Sequence, residues 1–293
     1  MYTGKNTLWF RFYNCNLQCS GFGQEDPTNP STYELPYKDF DTSTVTKLED
    51  LPVWKFGCDS SYSWAKKFKH LNHNEPVDVI AGRLQALLMS DENPNGSFLH
   101  DKSGIETHMC FTGGEPLLAE NQLSVIRILS ELGKRPGGTI PKTSHRKQNF
   151  PRYVTFETNG TQQITEEFNN YLVMNSPYIK YMFSVSPKLY TVSGEKNAKA
   201  IKPDVVRGYQ KITNKGQLKF VMGIEDRQWE ELDRVIDQFR NGGVDYPVYI
   251  MPVGAREEEQ YNIAAEVSDR ALAKGFHVSA RLHTYVYGNK IGT

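Results

Sequence analysis

The sequence lacks a net charge. Its 34 basic and 34 acidic side chains cancel over 293 residues, whereas a dedicated nucleic-acid binder ordinarily carries a basic excess. Direct nucleic-acid contact is therefore not expected. Small anionic substrates need only one or two well-placed arginines, so neutrality leaves them open. No apolar run approaches the roughly 18 residues that mark a membrane span. The opening MYTGKNTLWFRFYNC holds no apolar stretch followed by a small-residue cleavage site, so neither a secretory leader nor a membrane partner is expected, and the location read is cytoplasmic. Cysteine is scarce, with four residues: Cys15, Cys19, Cys58 and Cys110. In a chain read as leaderless they are expected as reduced thiols, either ligating a metal or simply buried. There is no internal repeat and no low-complexity tract.

What is present is a globular composition. Aromatic residues reach 12% and hydrophobic residues 38%, enough to build a packed core. Short segments rich in aromatic and β-branched residues, closed by Gly, Pro, Asn or Ser, read as strands: 7–13, 108–112, 152–156, 178–185, 217–222, 248–251 and 276–282. Apolar residues at three- and four-residue spacing predict helices over 77–89 and 120–132, with further helical periods over 165–174, 204–212, 226–240 and 257–273. Strands alternating with helices imply βαβ units and a mainly parallel sheet, as an open sheet or an open barrel. Two stretches break the alternation. Residues 20–57 carry Pro27, Pro30, Pro36 and Pro52 with little periodicity, and residues 133–150 are basic and rich in Gly and Pro. Loops that long tend to be functional.

Chemistry-bearing residues gather at strand ends. Cys15-Asn-Leu-Gln-Cys19 follows the first strand, and its two thiols can share a metal centre, although free cysteines near a strand end are also commonly just buried. Cys58-Asp-Ser-Ser-Tyr-Ser-Trp64 follows the long loop and begins an expected helical segment. Thr112-Gly-Gly-Glu-Pro116 closes the second strand. Its paired glycines free the backbone for a close approach, and Glu115 can accept from an amino group. Glu157-Thr-Asn-Gly-Thr161 closes the third strand and Ser184-Val-Ser-Pro-Lys188 the fourth. Each alone is a plausible turn. Together they sit at the carboxyl ends of strands, where α/β folds build their sites. Cys110 lies inside its strand and reads as a buried structural thiol, with a reserve role as ligand.

These motifs resemble the radical S-adenosylmethionine (SAM) superfamily, in which three cysteines hold a 4Fe–4S cluster, SAM chelates the open iron and a GGEP-type motif binds the SAM amino group. Cys15 and Cys19 match the first pair. The third position is ordinarily two residues later, where this chain has Phe22. CDSSYSW, ETNGT and SPK are similar to one branch, the 7-carboxy-7-deazaguanine synthases, and Cys58 matches the third cysteine if residues 20–57 are an insertion. The sequence is thus identified as one radical SAM domain over 1–293 with a partial, open TIM-like (β/α)6 barrel and an exposed excursion at 133–150.

The resemblance implies further assignments. Cys15, Cys19 and Cys58 would hold the cluster, and Ser60 would ligate magnesium. Gly113, Gly114, Glu115, Glu157, Asn159, Ser184, Ser186 and Lys188 would bind SAM. Arg11 and Thr112 would bind substrate, with no catalytic residue beyond cluster and SAM. The implied reaction starts when a reduced cluster cleaves SAM to a 5′-deoxyadenosyl radical, which takes a hydrogen atom from 6-carboxy-5,6,7,8-tetrahydropterin. Ring contraction and loss of ammonia give 7-carboxy-7-deazaguanine, a precursor of queuosine and related nucleosides. Implied partners are the pterin, an electron donor such as flavodoxin or ferredoxin, and a second copy in a homodimer. The chain departs from the branch in three places: Gly57 stands where an aromatic precedes the third cysteine, Tyr287 replaces Trp in the closing His283…Gly288 segment, and the N-terminal Ser-Leu-Gln-Gly-Glu-Gly segment is absent. The rival readings are a radical SAM activase or another radical SAM reaction, and a zinc-holding binding module.

Overall fold

A computed structural model describes residues 4–134 and 150–291. Seven parallel strands run in chain order: β1 (Thr7–Phe12), β2 (His108–Gly113), β3 (Tyr153–Thr158), β4 (Lys180–Val185), β5 (Gly216–Met222), β6 (Val248–Pro252) and β7 (His277–Val278). The sheet does not close, because β1 pairs only with β2 and β7 only with β6. This is the open, partial barrel expected, with one strand more than six. The helices α1 (Val77–Leu87), α2 (Ala119–Lys134), α3 (Glu166–Asn175), α4 (Pro203–Ile212), α5 (Asp226–Asn241) and α6 (Glu257–Ala273) fall within a few residues of the periodicity.

Alternation along the strands sorts the two faces. Val154 and Phe156 on β3, Phe183 on β4 and Leu218 and Phe220 on β5 enter one large core with Val125, Ile128 and Leu129 of α2 and Leu232, Val235 and Phe239 of α5. The intervening residues Arg11, Thr112, Glu157, Ser184 and Lys219 take the other, inner face. Register places Arg11 beside Thr112 and Glu157 beside Ser184.

Two expectations change. The seventh strand, expected over 276–282, is only two residues long, and Leu282–Tyr287 is a short helix. Beyond the strand the Arg281 guanidinium donates to the Gly254 carbonyl (3.0 Å) and pairs with Asp59 (2.9 Å). The segment after Cys58 forms 3-10 turns, Ser61–Ser63 and Lys66–Leu71, rather than an α-helix. The basic excursion at 133–150 lies almost wholly outside the described residues.

The stretch 20–57 folds against the rest. Its first part is fastened to the segment after β4: Gly21 N–H donates to the Ser193 carbonyl (2.9 Å), and Tyr190 Oη donates to the Thr28 carbonyl (3.0 Å). Its second part buries Tyr37, Val45, Leu51 and Trp54 with Tyr62, Phe68 and Leu71 in a separate small core.

Candidate active site

The cysteine loop leaves β1 at Phe12 and turns sharply. Asn14 and Cys19 both take positive φ, 76° and 51°, conformations that cost a non-glycine residue and persist only where surroundings impose them. Three contacts impose them here. Asn14 N–H donates to the Ser63 carbonyl (2.8 Å), and the Asn14 carbonyl accepts from Glu115 N–H (2.8 Å). Glu195 Oε1 accepts from the backbone N–H groups of Gln18 (2.6 Å) and Cys19 (2.8 Å). The loop thus drives Leu17 and Cys19 into an apolar pocket with Ala200, and Cys15, Phe22 and Cys58 pack against it. Cysteines from two segments distant in sequence share one pocket.

All four cysteines are free thiols. Burial raises Cys15 to about 11, opposed by the Leu17 N–H and by Asn159. Burial and then Asp59 raise Cys58 to about 12, and burial pushes Cys19 well up. Thiolates in such a pocket need a compensating positive centre, and metal ligation supplies one while releasing the protons. The three pocket thiols are a soft donor set of the kind that holds an iron–sulfur cluster or zinc. Among the described residues no group of three His, Cys, Asp or Glu side chains is already gathered about a single ion site. Cys110 is buried on the inner face of β2, apart from this pocket, and burial holds it protonated.

The paired glycines are closely packed. A Cβ on Gly114 would stand 1.9 Å from the Asn14 carbonyl oxygen, and one on Gly113 2.2 Å from the Phe12 carbonyl oxygen. Their close approach is to the cysteine loop's own backbone. Glu115 is fully buried, and its oxygens accept from Leu117 N–H (2.9 Å), Thr158 Oγ1 (2.7 Å) and Asn159 N–H (2.8 Å). Burial outweighs these donors and raises its carboxyl to about 7. Glu115 thereby ties the ends of β2 and β3 together. Asn159 continues the chain, donating to Asn16 Oδ1 (3.0 Å) and reaching Cys15 Sγ (3.9 Å).

Polar side chains surround the pocket. Glu157 pairs with Lys219 (3.0 Å). Burial works against its ionisation, but Lys219, Arg11 and Lys188 together hold the carboxyl below its usual range. Ser184 accepts from Gln217 (2.8 Å), and Ser186 accepts from Lys188 Nζ (2.8 Å), which also lies over the Phe22 ring. Arg11 lies over the Tyr62 ring and donates to Ser60 Oγ (3.0 Å), which itself donates to Asp59 (3.1 Å). Asp59 also pairs with Arg281, and these partners outweigh its burial and keep it ionised. His283 follows Arg281; burial and then Arg281 hold its imidazole below the usual value. Tyr287 is 56% exposed. The Ser60–Asp59 oxygens are thus engaged by two guanidinium groups.

Lys219, Asp59, Arg281 and Glu195 were not among the residues expected at the site. Lys219 carried a usable signal, a charge at inner-face parity between Leu218 and Phe220. Asp59 adjoins Cys58. Glu195 and Arg281 act through tertiary contacts that leave no local pattern.

No family model matches the sequence. Two curated relatives are called 7-carboxy-7-deazaguanine synthase. The one from Rhodopirellula baltica is 26% identical over 195 residues, covering 66% of this chain and 65% of that protein. The one from Pyrobaculum aerophilum is 24% identical over 255 residues, covering 85% of this chain and 88% of that protein. The chain thus spans just under two thirds of the first relative's length. A solved structure described as "Native anSMEcpe with bound AdoMet" superposes with a TM-score of 0.42 and 13% identity over 75% of this chain and 59% of that one. The resemblance to 7-carboxy-7-deazaguanine synthases is thus found by whole-sequence similarity as well as by motif. Among the described residues no helix is long and apolar enough to cross a membrane.

Proposed function

We propose that this chain is a radical SAM enzyme that converts 6-carboxy-5,6,7,8-tetrahydropterin to 7-carboxy-7-deazaguanine with loss of ammonia. The observation that carries the reading is the meeting of Cys15, Cys19 and Cys58 in one pocket at the carboxyl edge of a parallel sheet. Sequence similarity to two enzymes of that name supports the choice of reaction.

In this reading the three thiols hold a 4Fe–4S cluster and residues 20–57 are an insertion within its motif. When bound, cluster and SAM would supply the one-electron chemistry that removes a hydrogen atom from the substrate. The chain's own residues bind, orient and exclude. Lys188 and Ser186 suit the carboxylate of an amino acid, and Asn159, Ser184 and the Gly113–Gly114 backbone supply neutral polar groups beside it. Glu115 acts from behind by fixing the Asn159 backbone. Arg11 presents a planar guanidinium beside Thr112 on the inner face, suited to a substrate carboxylate, which would displace Ser60 as its partner. Glu157, held ionised by Lys219, can accept N–H bonds from a planar heterocycle. The flanking aromatic rings Tyr62 and Phe22 keep the charged groups from bulk water. A flavodoxin- or ferredoxin-class donor and a homodimer belong to the same proposal.

The test is anaerobic reconstitution with iron and sulfide, then dithionite, SAM, magnesium and the pterin, with product followed by mass. Product from the wild type and none from Cys58→Ala is the expected result. A brown protein that cleaves SAM but makes no 7-carboxy-7-deazaguanine would reject the substrate, and a colourless zinc protein would reject the reaction class.

A further inference from the structure

Arg281 belongs to no strand-end motif, yet it reaches the site from the far end of the chain. Its segment is fastened on both sides. Ser279 N–H donates to the Ile250 carbonyl (2.8 Å), and Asn289 Oδ1 accepts from Glu257 N–H (2.8 Å) at the start of α6. The side chain is fastened as well. Nη1 donates to the Gly254 carbonyl (3.0 Å), Nη2 pairs with Asp59 (2.9 Å), and only 16% of the side chain is exposed. A planar guanidinium held by two acceptors is a preorganised partner for a carboxylate.

The charges around the pocket are unevenly matched. Glu157 has Lys219 (3.0 Å) and Asp59 has Arg281. Among the described residues Arg11 forms no ion pair. It donates to uncharged acceptors, Ser60 Oγ (3.0 Å) and the Gly113 carbonyl (3.4 Å). One hydroxyl separates it from a carboxylate, because Ser60 Oγ also donates to Asp59 (3.1 Å). Arg11 and Asp59 are thus no more than about 6 Å apart, close enough for strong attraction in a partly buried site. Without Arg281, the Asp59 carboxylate would have one guanidinium within reach, that of Arg11, and charge-assisted pairing would favour its capture. A neutralised Arg11 would make a poor receptor for an anionic substrate.

We propose that Arg281 is a positioning residue for substrate recognition: it holds the Asp59 carboxylate away from Arg11, so that the Arg11 guanidinium stays available to the carboxylate of a planar heterocycle. The inference rests on the pterin reading above and names a residue that acts through another. It also gives the closing segment a task. The chain end supplies the cation that keeps the β1 arginine unpaired until substrate arrives. The role is competitive rather than mechanical, and removing the competitor should therefore make Arg281 dispensable.

The test reads carboxylate preference. Binding of pterin-6-carboxylate and of 6-methylpterin to the reconstituted, SAM-loaded protein is measured by pterin fluorescence in wild type, Arg281→Gln, Asp59→Asn and the double variant. Wild type should prefer the carboxylate. In Arg281→Gln that preference should fall about tenfold or more, the loss of one charge-assisted contact, with 6-methylpterin binding little changed. Asp59→Asn keeps an acceptor for the Ser60 hydroxyl and removes the competing charge, so the double variant should regain the preference. A merely structural role would weaken both ligands alike and would not be rescued by Asp59→Asn, and that result overturns the inference, as does an Arg281→Gln preference equal to that of wild type. If Arg281→Gln does not fold, the double variant, which strands no charge, decides: a preference well below wild type overturns the inference. A wild type that binds neither pterin, or binds both alike, overturns the pterin reading and this inference with it.

Discussion

Glu195 offers the sharpest test of how the cysteine loop is held. It stands between the short helices Tyr190–Ser193 and Asn197–Ala200 and is 9% exposed. Its Oε1 accepts from Gln18 N–H at 2.6 Å and Cys19 N–H at 2.8 Å. Glu195→Ala leaves both donors without their acceptor. Hydrogen bonds to a charged group contribute about 1.5–3 kcal/mol each. Gln18 is exposed and can turn to water, but Cys19 is buried, so the expected loss is about 3 kcal/mol. For a chain of this size that corresponds to roughly 6–12 °C in Tm. Without the clamp, nothing compensates the positive φ of Cys19, so its thiol should leave the pocket. Thermal unfolding of the iron-free chain measures the first effect, and iron bound per chain after reconstitution measures the second. Glu195→Gln keeps a carbonyl acceptor and should recover most of both. Lys199→Ala removes only a half-exposed ion pair at 3.3 Å, worth little, and should resemble wild type. A Glu195→Ala protein that melts within about 1 °C of wild type and loads iron fully would refute the clamp.

The other sites make separate demands. Gly114→Ala places a methyl group 1.9 Å from the Asn14 carbonyl oxygen, so the cysteine loop must move. Iron loading should collapse, and normal loading would show that the loop is not packed as described. Glu115 is raised to about 7 from 4.5, so the folded chain binds its proton more tightly than the unfolded one. Its contribution is therefore fully present below about pH 4.5 and lost as pH rises through about 7. The stability advantage of wild type over Glu115→Gln, from urea unfolding, should shrink between pH 5 and pH 8, and a growing advantage contradicts the assignment. Lys219→Met strands the Glu157 carboxylate, which is 30% exposed, and should cost about 2 kcal/mol. Adding Glu157→Gln should restore part of that loss in a double-mutant cycle, and strict additivity would show that the pair is not coupled.

The fold was legible because hydrophobic periodicity and strand-closing residues are local signals. Val154 and Phe156 alternate with Thr155 and Glu157, and that parity alone divides core from inner face. The short seventh strand was not legible: the chain beyond it is engaged by tertiary contacts such as Arg281 with Asp59, residues more than two hundred positions apart. The same holds within the site. Cys15, Cys19, Glu157, Asn159 and Lys188 sit in recognisable strand-end motifs. Glu195 matters through what it faces, and a sequence does not print facing. The paired glycines add a contact the sequence did not print: the backbone they free lies against the Asn14–Cys15 turn.

The separation of Cys19 from Cys58 is resolved by one backbone contact. Phe22 occupies the position where the third cysteine of the motif is ordinarily found, and its carbonyl accepts from Gly57 N–H at 2.8 Å. The stretch between them is therefore a loop closed at its neck, and Cys58 emerges beside Phe22 almost as if the loop were absent. Closing a loop of about 35 residues rather than two costs roughly 2.5 kcal/mol in chain entropy. That is comparable to what one fully buried large apolar side chain contributes, about 1.5–3 kcal/mol. The loop buries several, among them Tyr37, Leu51 and Trp54, so the cost is offset within the loop itself. Gly57 carries the geometry at the neck: its φ of +83° is left-handed, and Leu35 and Tyr37 fill the space above it. An aromatic residue there, as the branch ordinarily has, would be strained in φ and would collide with the loop's own core. If residues 20–57 are an insertion, as proposed, Gly57 is its physical counterpart, and Phe22 brings aromatic surface to the cysteine pocket.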